Sequence, residues 1–242
     1  ITTAGMERLK TEIVAAVEKV LRPSAILLRN DSASRAVEGL PSYVETVHGT
    51  VPEMVELEEN GVRFHAPVIS GQKTGWFYDQ RVNRGRLCRY VKGKRVLDLF
   101  CYLGAWGLQA AASGAEHVTC IDSSAKAVDW TRANAALNGL GDKVTVQVAD
   151  AFEALKELRA QRERYDVIVL DPPAFIKRRK DIKEGTRAYQ RLNQMAMQVL
   201  AKDGLLVSAS CSYHLKRDDL QEILLHTSRH VDRYLQVVEQ GH

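Results

Sequence analysis

No stretch of this 242-residue chain comes near the about 18 consecutive apolar residues that a membrane helix needs, so no membrane partner is expected. Cysteine is scarce. The four present (Cys88, Cys101, Cys120 and Cys211) lie far apart, with no Cys-x-x-Cys pair. That spacing argues against a zinc ribbon, an iron–sulfur cluster and a secreted disulfide framework, and it fits a metal-free, reduced, cytoplasmic protein. The sequence opens Ile1-Thr2-Thr3, without a methionine and without a basic-then-apolar leader, so a piece of a longer protein is expected. Internal repeats and low-complexity tracts are also missing.

What is present reads as globular: 45% hydrophobic and 26% charged residues, with a net charge of +4. A mild positive excess is compatible with a polyanionic partner without demanding one. Two regions differ in pattern. Residues 1–70 read as a small α+β domain. Met6 to Leu21 carries a helical apolar stripe, Ser24 to Leu28 is a strand candidate, and Asn60-Gly61 between two β-prone runs is a strong hairpin signal. Residues 71–242 read as a second domain built on alternation. Strands are expected over 95–100, 117–122, 143–148, 166–171 and 204–211, and helices over 104–113, 125–138, 151–162 and 185–201. A further helix (216–230) and strand (234–238) should follow. Such alternation implies an α/β, Rossmann-like fold, a mostly parallel sheet with helices on both faces.

In such sheets ligands bind beyond the carboxyl ends of the strands. Asp98, Asp122, Asp150 and Asp171 all fall at or just after strand ends. After Asp98 the loop offers Gly104 and Gly107, one glycine short of the dinucleotide-binding fingerprint. An acid beside this turn repels a pyrophosphate and suits an ammonium, which favours S-adenosylmethionine over NAD. Asp122 is placed to accept ribose hydroxyls, a device both cofactors share, and Asp150 is placed to accept from an adenine amine. Taken singly, each acid is as readily a helix N-cap, because each precedes a helix. The ordered series weakens that explanation.

Asp171-Pro172-Pro173-Ala174-Phe175 ends the fourth strand of the sheet. Two prolines make a rigid, extended exit with few backbone donors. Phe175 could stack on a base or pack beneath the loop. Ser210-Cys211-Ser212 ends the fifth strand, which puts Cys211 beside Asp171 if the strands are neighbours. Cys211 is therefore a nucleophile candidate, while Cys88, Cys101 and Cys120 read as small core residues. Lys177-Arg178-Arg179-Lys180-Asp181-Ile182-Lys183 follows, five basic residues in seven, with Arg81, Arg84, Arg86 and Arg89 as a second basic stretch. Placed beside a reaction centre, the first run suits a phosphate backbone, although a solvated loop reads the same way.

With these motifs in view, the sequence resembles the bacterial family that methylates carbon 5 of a cytosine in large-subunit ribosomal RNA. The resemblance rests on Lys73-Thr74-Gly75-Trp76-Phe77-Tyr78-Asp79-Gln80-Arg81, Val96-Leu97-Asp98-Leu99-Phe100 with Gly104, the Asp171–Phe175 motif and Ser210-Cys211-Ser212, and it covers about 71–215. It implies that Cys211 adds to the base and that Asp171 hydrogen-bonds the base ring nitrogen and amine. The cofactor site would draw on Asp98, Phe100, Tyr102 and Gly104, on Asp122, Ser123, Asp150, Ala151 and Asp171, and on Phe77 and Gln80. Pro172, Pro173, Phe175, Lys177, Arg178, Arg179 and Arg81 would meet RNA. Residues 1–70 resemble the small domain ahead of that family's catalytic domain, without its usual RNA-binding PUA domain. The base that removes the carbon 5 proton is unassigned, His214 being near in sequence but equally suited to a surface role. A second copy of the chain is left open as a partner.

Two departures stand out. Leu103-Gly104-Ala105 replaces the family's usual Thr-Gly-Gly. Ala174 occupies the position where a different group of RNA cytosine-5 methyltransferases carries a second cysteine, which excludes that group. The sheet's last strands are expected to lie beyond His242. The rival readings are methylation of an exocyclic amine or guanine ring nitrogen with an inert Cys211, an NAD-dependent oxidoreductase, and a catalytically idle RNA-binding module.

Overall fold

The computed structural model describes residues 1–72 and 74–241, so Lys73 of the first motif lies outside the described residues. The chain forms two compact units: Ile1–Leu57 with His65–Tyr78, and Glu58–Phe64 with the chain from Asp79 onward.

The first unit opens with α1 (Ala4–Arg8) and α2 (Lys10–Leu21), which break the expected single helix at Leu9. β1 (Ile26–Asn30) pairs antiparallel with β2 (Tyr43–His48), with α3 (Ser34–Val37) between them. Polar groups are buried in this unit along with Leu28, Ala66 and Trp76. Arg35, fully buried, donates to the Pro41 carbonyl at 2.9 Å and to Glu7 at 2.9 Å, and the Tyr43 hydroxyl donates to the same carboxylate at 2.6 Å. β3 (Met54–Glu59) and β4 (Val62–Pro67) form the expected hairpin. Asn60 and Gly61 both take positive φ, 52° and 78°, as a two-residue turn of this hand requires.

The second unit runs α4 (Arg81–Leu87), β5 (Arg95–Leu99), α5 (Ala105–Ala112), β6 (His117–Asp122), α6 (Ala125–Leu137), β7 (Val144–Val148), α7 (Ala151–Ala160), β8 (Tyr165–Leu170), α8 (Ile182–Val199), β9 (Leu200–Ser208) and α9 (Arg217–Arg229). The five strands make one parallel sheet in the order β7-β6-β5-β8-β9. Strand alternation sends successive side chains to opposite faces. Leu97, Leu99, Ile121, Ile168 and Leu170 form a buried cluster with Ala154 and Leu155 of α7 and Leu192, Ala196 and Val199 of α8. Asp98 and Cys120 point to the other face, beneath α5, where Gly107 lies against both.

Three local expectations are corrected. No strand forms over 234–238; this segment is irregular, and nearby Tyr90 donates to Glu239 at 2.6 Å and Arg86 to the Gln240 carbonyl at 2.9 Å. The strand after α8 starts at Leu200, inside the expected helix, and ends at Ser208, which leaves Cys211 in the loop beyond it. The basic stretch before β5 is not a uniform cationic surface. Arg84 is buried, its guanidinium donating to both carboxylate oxygens of buried Glu59 at 2.6 and 3.0 Å. Gln109 also donates to Glu59 at 2.9 Å, and Asn60 donates to Gln109 at 2.7 Å, so the hairpin turn is fastened to α4 and α5. Charge patterning in sequence cannot separate a buried ion pair from a solvated run. Among the described residues, no helix is long and apolar enough to cross a membrane.

Candidate active site

The loop after β5 carries unusual backbone. Phe100 and Tyr102 have positive φ (65° and 51°), as does Gly104 (76°), and for non-glycine residues such geometry persists only where the surroundings enforce it. The enforcing contacts are visible. The Asp122 carboxylate accepts the Tyr102 amide at 3.0 Å and the Ser124 amide at 2.9 Å, and Thr131 donates to the Tyr102 carbonyl at 2.9 Å. A Cβ on Gly104 would stand 2.8 Å from Thr131 Cγ2, and one on Gly107 only 2.5 Å from Cys120 Sγ. Both glycines are thus required by packing within the protein, Gly107 so that α5 can press onto the sheet.

Asp98 lies fully buried under that helix. One oxygen, Oδ2, accepts the Gly107 amide at 2.9 Å; the other, Oδ1, has no hydrogen-bond partner among the described residues. Burial pushes its carboxyl up to about 8, while the Gly107 hydrogen bond works in the opposite direction and the nearby Asp171 and Asp122 charges add to the rise. An unpartnered buried oxygen in this position calls for a cationic or donor group.

A shallow cleft of about 20 Å³ opens at the strand ends, lined by Phe100, Ile121, Asp122, Ser123, Ala149, Asp150 and Ala151. Five of the residues singled out in the sequence therefore meet in one place. Asp150 also serves as the N-cap of α7, its Oδ1 accepting the Phe152 and Glu153 amides at 2.9 and 3.2 Å. Asp150 thus caps α7 while lining the cleft. Gln80 is half-buried and accepts from Asn83 at 2.8 Å, outside the cleft lining; Phe77 belongs to the first unit and is half-buried there.

The second cluster sits at the ends of β8 and β9, which are adjacent and parallel. Trp106 Nε1 donates to Asp171 Oδ2 at 3.0 Å, so this carboxylate is oriented by the helix that follows Gly104. Cys211 is exposed, and its thiol lies 3.7 Å from the Pro172 carbonyl. Pro172 is buried and Pro173 exposed. The Cys211 loop is held from beneath by buried Tyr189 of α8. Ser210 donates to its phenol oxygen at 2.8 Å, the phenol and Ser212 Oγ are 3.0 Å apart, and Ser212 Oγ accepts the Ile176 amide at 3.1 Å. One hydroxyl network thus ties the Cys211 loop to the Asp-Pro-Pro loop. Tyr189 was missed in the sequence because a tyrosine on an amphipathic helix looks like any other core residue. Phe175 packs between Tyr189 (ring centroids 4.8 Å apart) and Phe152 (6.4 Å) and is half-buried.

The remaining thiols differ from Cys211. Cys101 and Cys120 are buried, and the Cys101 thiol together with burial pushes the Cys120 thiol well up, away from nucleophilic use. Lys177, Arg178, Arg179 and Lys180 are all exposed beside the Asp-Pro-Pro loop, although Arg178 pairs with Asp181 at 3.3 Å. Arg81 is exposed at the start of α4. His214 is half-buried, edge-on to Tyr213.

A parallel sheet of this order, with a tight β5–α5 loop and acids at successive strand ends, defines a nucleoside-cofactor enzyme of the Rossmann-like class. Residues 34–239 match the family model for S-adenosylmethionine-dependent methyltransferases, and the chain belongs to that family. Among curated proteins it is 38% identical over 240 residues to the ribosomal RNA large subunit methyltransferase I of Shewanella denitrificans, covering 98% of this chain and 60% of that protein. Its identity to the enzyme of the same name from Aeromonas salmonicida is 37%, over 99% of the chain and 61% of the relative. The chain thus spans about 60% of the length of these relatives. Among solved structures, a methyltransferase complexed with SAH matches with a TM-score of 0.79 at 25% identity, over 92% of this chain and 57% of that one. A SAM-dependent methyltransferase from Agrobacterium tumefaciens matches with a TM-score of 0.70 at 24% identity, over 87% and 67%, a likeness of fold. In donor chemistry, the unpartnered Asp98 oxygen suits an ammonium, and the Asp122 and Asp150 carboxylates at the cleft suit the hydroxyl and amine donors of a nucleoside.

Proposed function

We propose that this protein methylates carbon 5 of a cytosine in large-subunit ribosomal RNA, in the cytoplasm and without a metal, through a covalent adduct to Cys211. The observation that carries the reading is the single exposed thiol placed beside the Asp171-Pro172 loop. The names of the relatives support the RNA substrate.

S-adenosylmethionine supplies an electrophilic methyl group when bound. In this reading Asp98 and the loop Phe100–Gly104 hold its amino-acid part, Asp122 and Ser123 its ribose, and Asp150 and Ala151 its base. The other chemistry belongs to the chain. Carbon 5 of cytosine is a weak nucleophile, and addition of the Cys211 thiolate to carbon 6 turns carbon 5 into an enamine carbon that can take the methyl group. As the thiolate adds, ring nitrogen 3 takes a proton from solvent, and Asp171, steadied by Trp106, accepts from that N–H and from the exocyclic amine; the same proton is returned when the ring is restored. Loss of the carbon 5 proton to a base and breakage of the carbon–sulfur bond then restore the aromatic ring and the thiolate. Pro172 and Pro173 hold the loop rigid under the base, and Lys177, Arg178, Arg179 and Arg81 meet phosphates.

The decisive experiment uses RNA containing 5-fluorocytidine, in which the carbon 5 substituent cannot leave as a proton. A denaturation-resistant protein–RNA complex that needs S-adenosylmethionine and is lost in Cys211→Ala is the expected result. Methyl transfer at wild-type rate by Cys211→Ala would instead point to an exocyclic amine or ring nitrogen as the target. Sedimentation of the purified chain decides whether a second copy is a partner.

A further inference from the structure

A groove of about 490 Å³ runs between α8 and α9 in the second unit, outside the residues given any role above. Its walls are Ile182, Thr186 and Gln190 on one face of α8, and Asp219, Glu222, Ile223 and His226 on one face of α9. The end is closed by His214 and Leu215, which sit on the same loop as Cys211. The volume falls in the range of sites that take small organic groups. Three aliphatic side chains make an apolar floor, and the rest of the lining is polar and contains no lysine or arginine. Asp219 is partly engaged, accepting the Lys216 amide at 3.1 Å. Gln190 and Glu222 have no hydrogen-bond or ion-pair partner among the described residues.

We infer that this groove binds an unstacked nucleobase bearing an exocyclic amine, a neighbour of the nucleotide under modification. This rests on the RNA reading given above. The charge distribution distinguishes base from phosphate. Two carboxylates in the lining repel a phosphate but accept hydrogen bonds from an amine, and Gln190 can serve as donor and acceptor on a base edge. The cations lie just outside: Lys177, Arg178, Arg179 and Lys180 are exposed on the segment that leads into α8 and Lys183 in its first turn, where they can follow the backbone while a base turns inward. Adenine, cytosine and guanine carry the required amine. Uracil does not, so the groove discriminates against uridine.

The experiment measures binding, independently of catalysis. Fluorescence anisotropy of the full chain with oligoadenylate, oligocytidylate and oligouridylate of equal length should show uridylate bound about tenfold more weakly. Glu222→Ala, at an exposed position, and Gln190→Ala, at a half-buried one, should erase that preference by weakening the first two and leaving uridylate unchanged. Equal wild-type binding of the three, or a preference that survives both variants, overturns the inference. So does AMP binding as tightly as oligoadenylate, which would make this a free-nucleotide site. Preference lost in the variants while 5-fluorocytidine trapping fails upholds the groove and sinks the covalent mechanism. Trapping that succeeds with no groove effect does the reverse.

Discussion

The phenol of Tyr189 and the hydroxyl of Ser212 lie 3.0 Å apart inside the protein, on elements separated by the whole of β9. Through this contact a helix residue governs the loop of the candidate nucleophile, because Ser212 also accepts the Ile176 amide from the Asp-Pro-Pro side. Tyr189→Phe keeps the ring packed against Phe175 and removes only the oxygen. Expected are a stability loss of about 1 kcal/mol in urea unfolding and a fall in kcat of about tenfold. The KM values for RNA and cofactor should stay put. A variant with wild-type kcat would reduce the network to a structural role.

Asp98 makes stability depend on pH in a definite direction. Its carboxyl titrates near 8 in the folded protein against 3.8 ordinarily, so between those values the folded state holds a proton that the unfolded chain has released. Unfolding free energy of the cofactor-free protein therefore falls as pH rises through that window, and Asp98's contribution is lost above it. Asp98→Asn should flatten this slope. If the ammonium of S-adenosylhomocysteine offsets the buried charge, as proposed, this ligand should flatten the slope in the wild type alone. Denaturant midpoints at several pH values check both; a slope unchanged by Asp98→Asn removes Asp98 as its source.

Glu59 and Arg84 form an ion pair with almost no solvent access. Breaking one side strands a buried charge, so Arg84→Met should cost about 3–5 kcal/mol. The double variant Arg84→Met with Glu59→Gln should recover part of that loss, because no unpaired charge remains. Urea unfolding of the two single variants and the double one gives the coupling. Additive losses would mean that the pair is not coupled.

The sheet and the site differ in how far they could be read from sequence. Strands β5 to β8 announce themselves as short β-branched runs, and their terminal acids place Phe100, Asp122, Ser123, Asp150 and Ala151 in one cleft. What stayed hidden depends on partners distant in the chain. In sequence Arg84 belongs to a basic stretch, and in the fold Glu59, 25 residues earlier, neutralises it. Positive φ at Phe100 and Tyr102 leaves no sequence signal, since neither is a glycine or asparagine. The strand expected at 234–238 has the right β-branched composition but no strand pairs with it, and composition cannot reveal a missing neighbour. In sequence Gly107 counts toward a cofactor-loop pattern, whereas in the fold its closest would-be neighbour is Cys120.

The exposed run after the Asp-Pro-Pro loop makes a quantitative claim about salt. If Lys177, Arg178 and Arg179 each neutralise one phosphate of single-stranded RNA, each contributes about 0.7 to the slope of log affinity against log salt. Replacing all three with alanine should lower that slope by about 2 and weaken binding most at low salt. Arg178 shares its charge with Asp181, so its single variant should give the smallest change of the three. None of these side chains is buried, so unfolding midpoints should hardly move. Anisotropy titrations across a salt series separate the outcomes: an unchanged slope in the triple variant would assign this run to a solvated loop and leave phosphate contact to other cations.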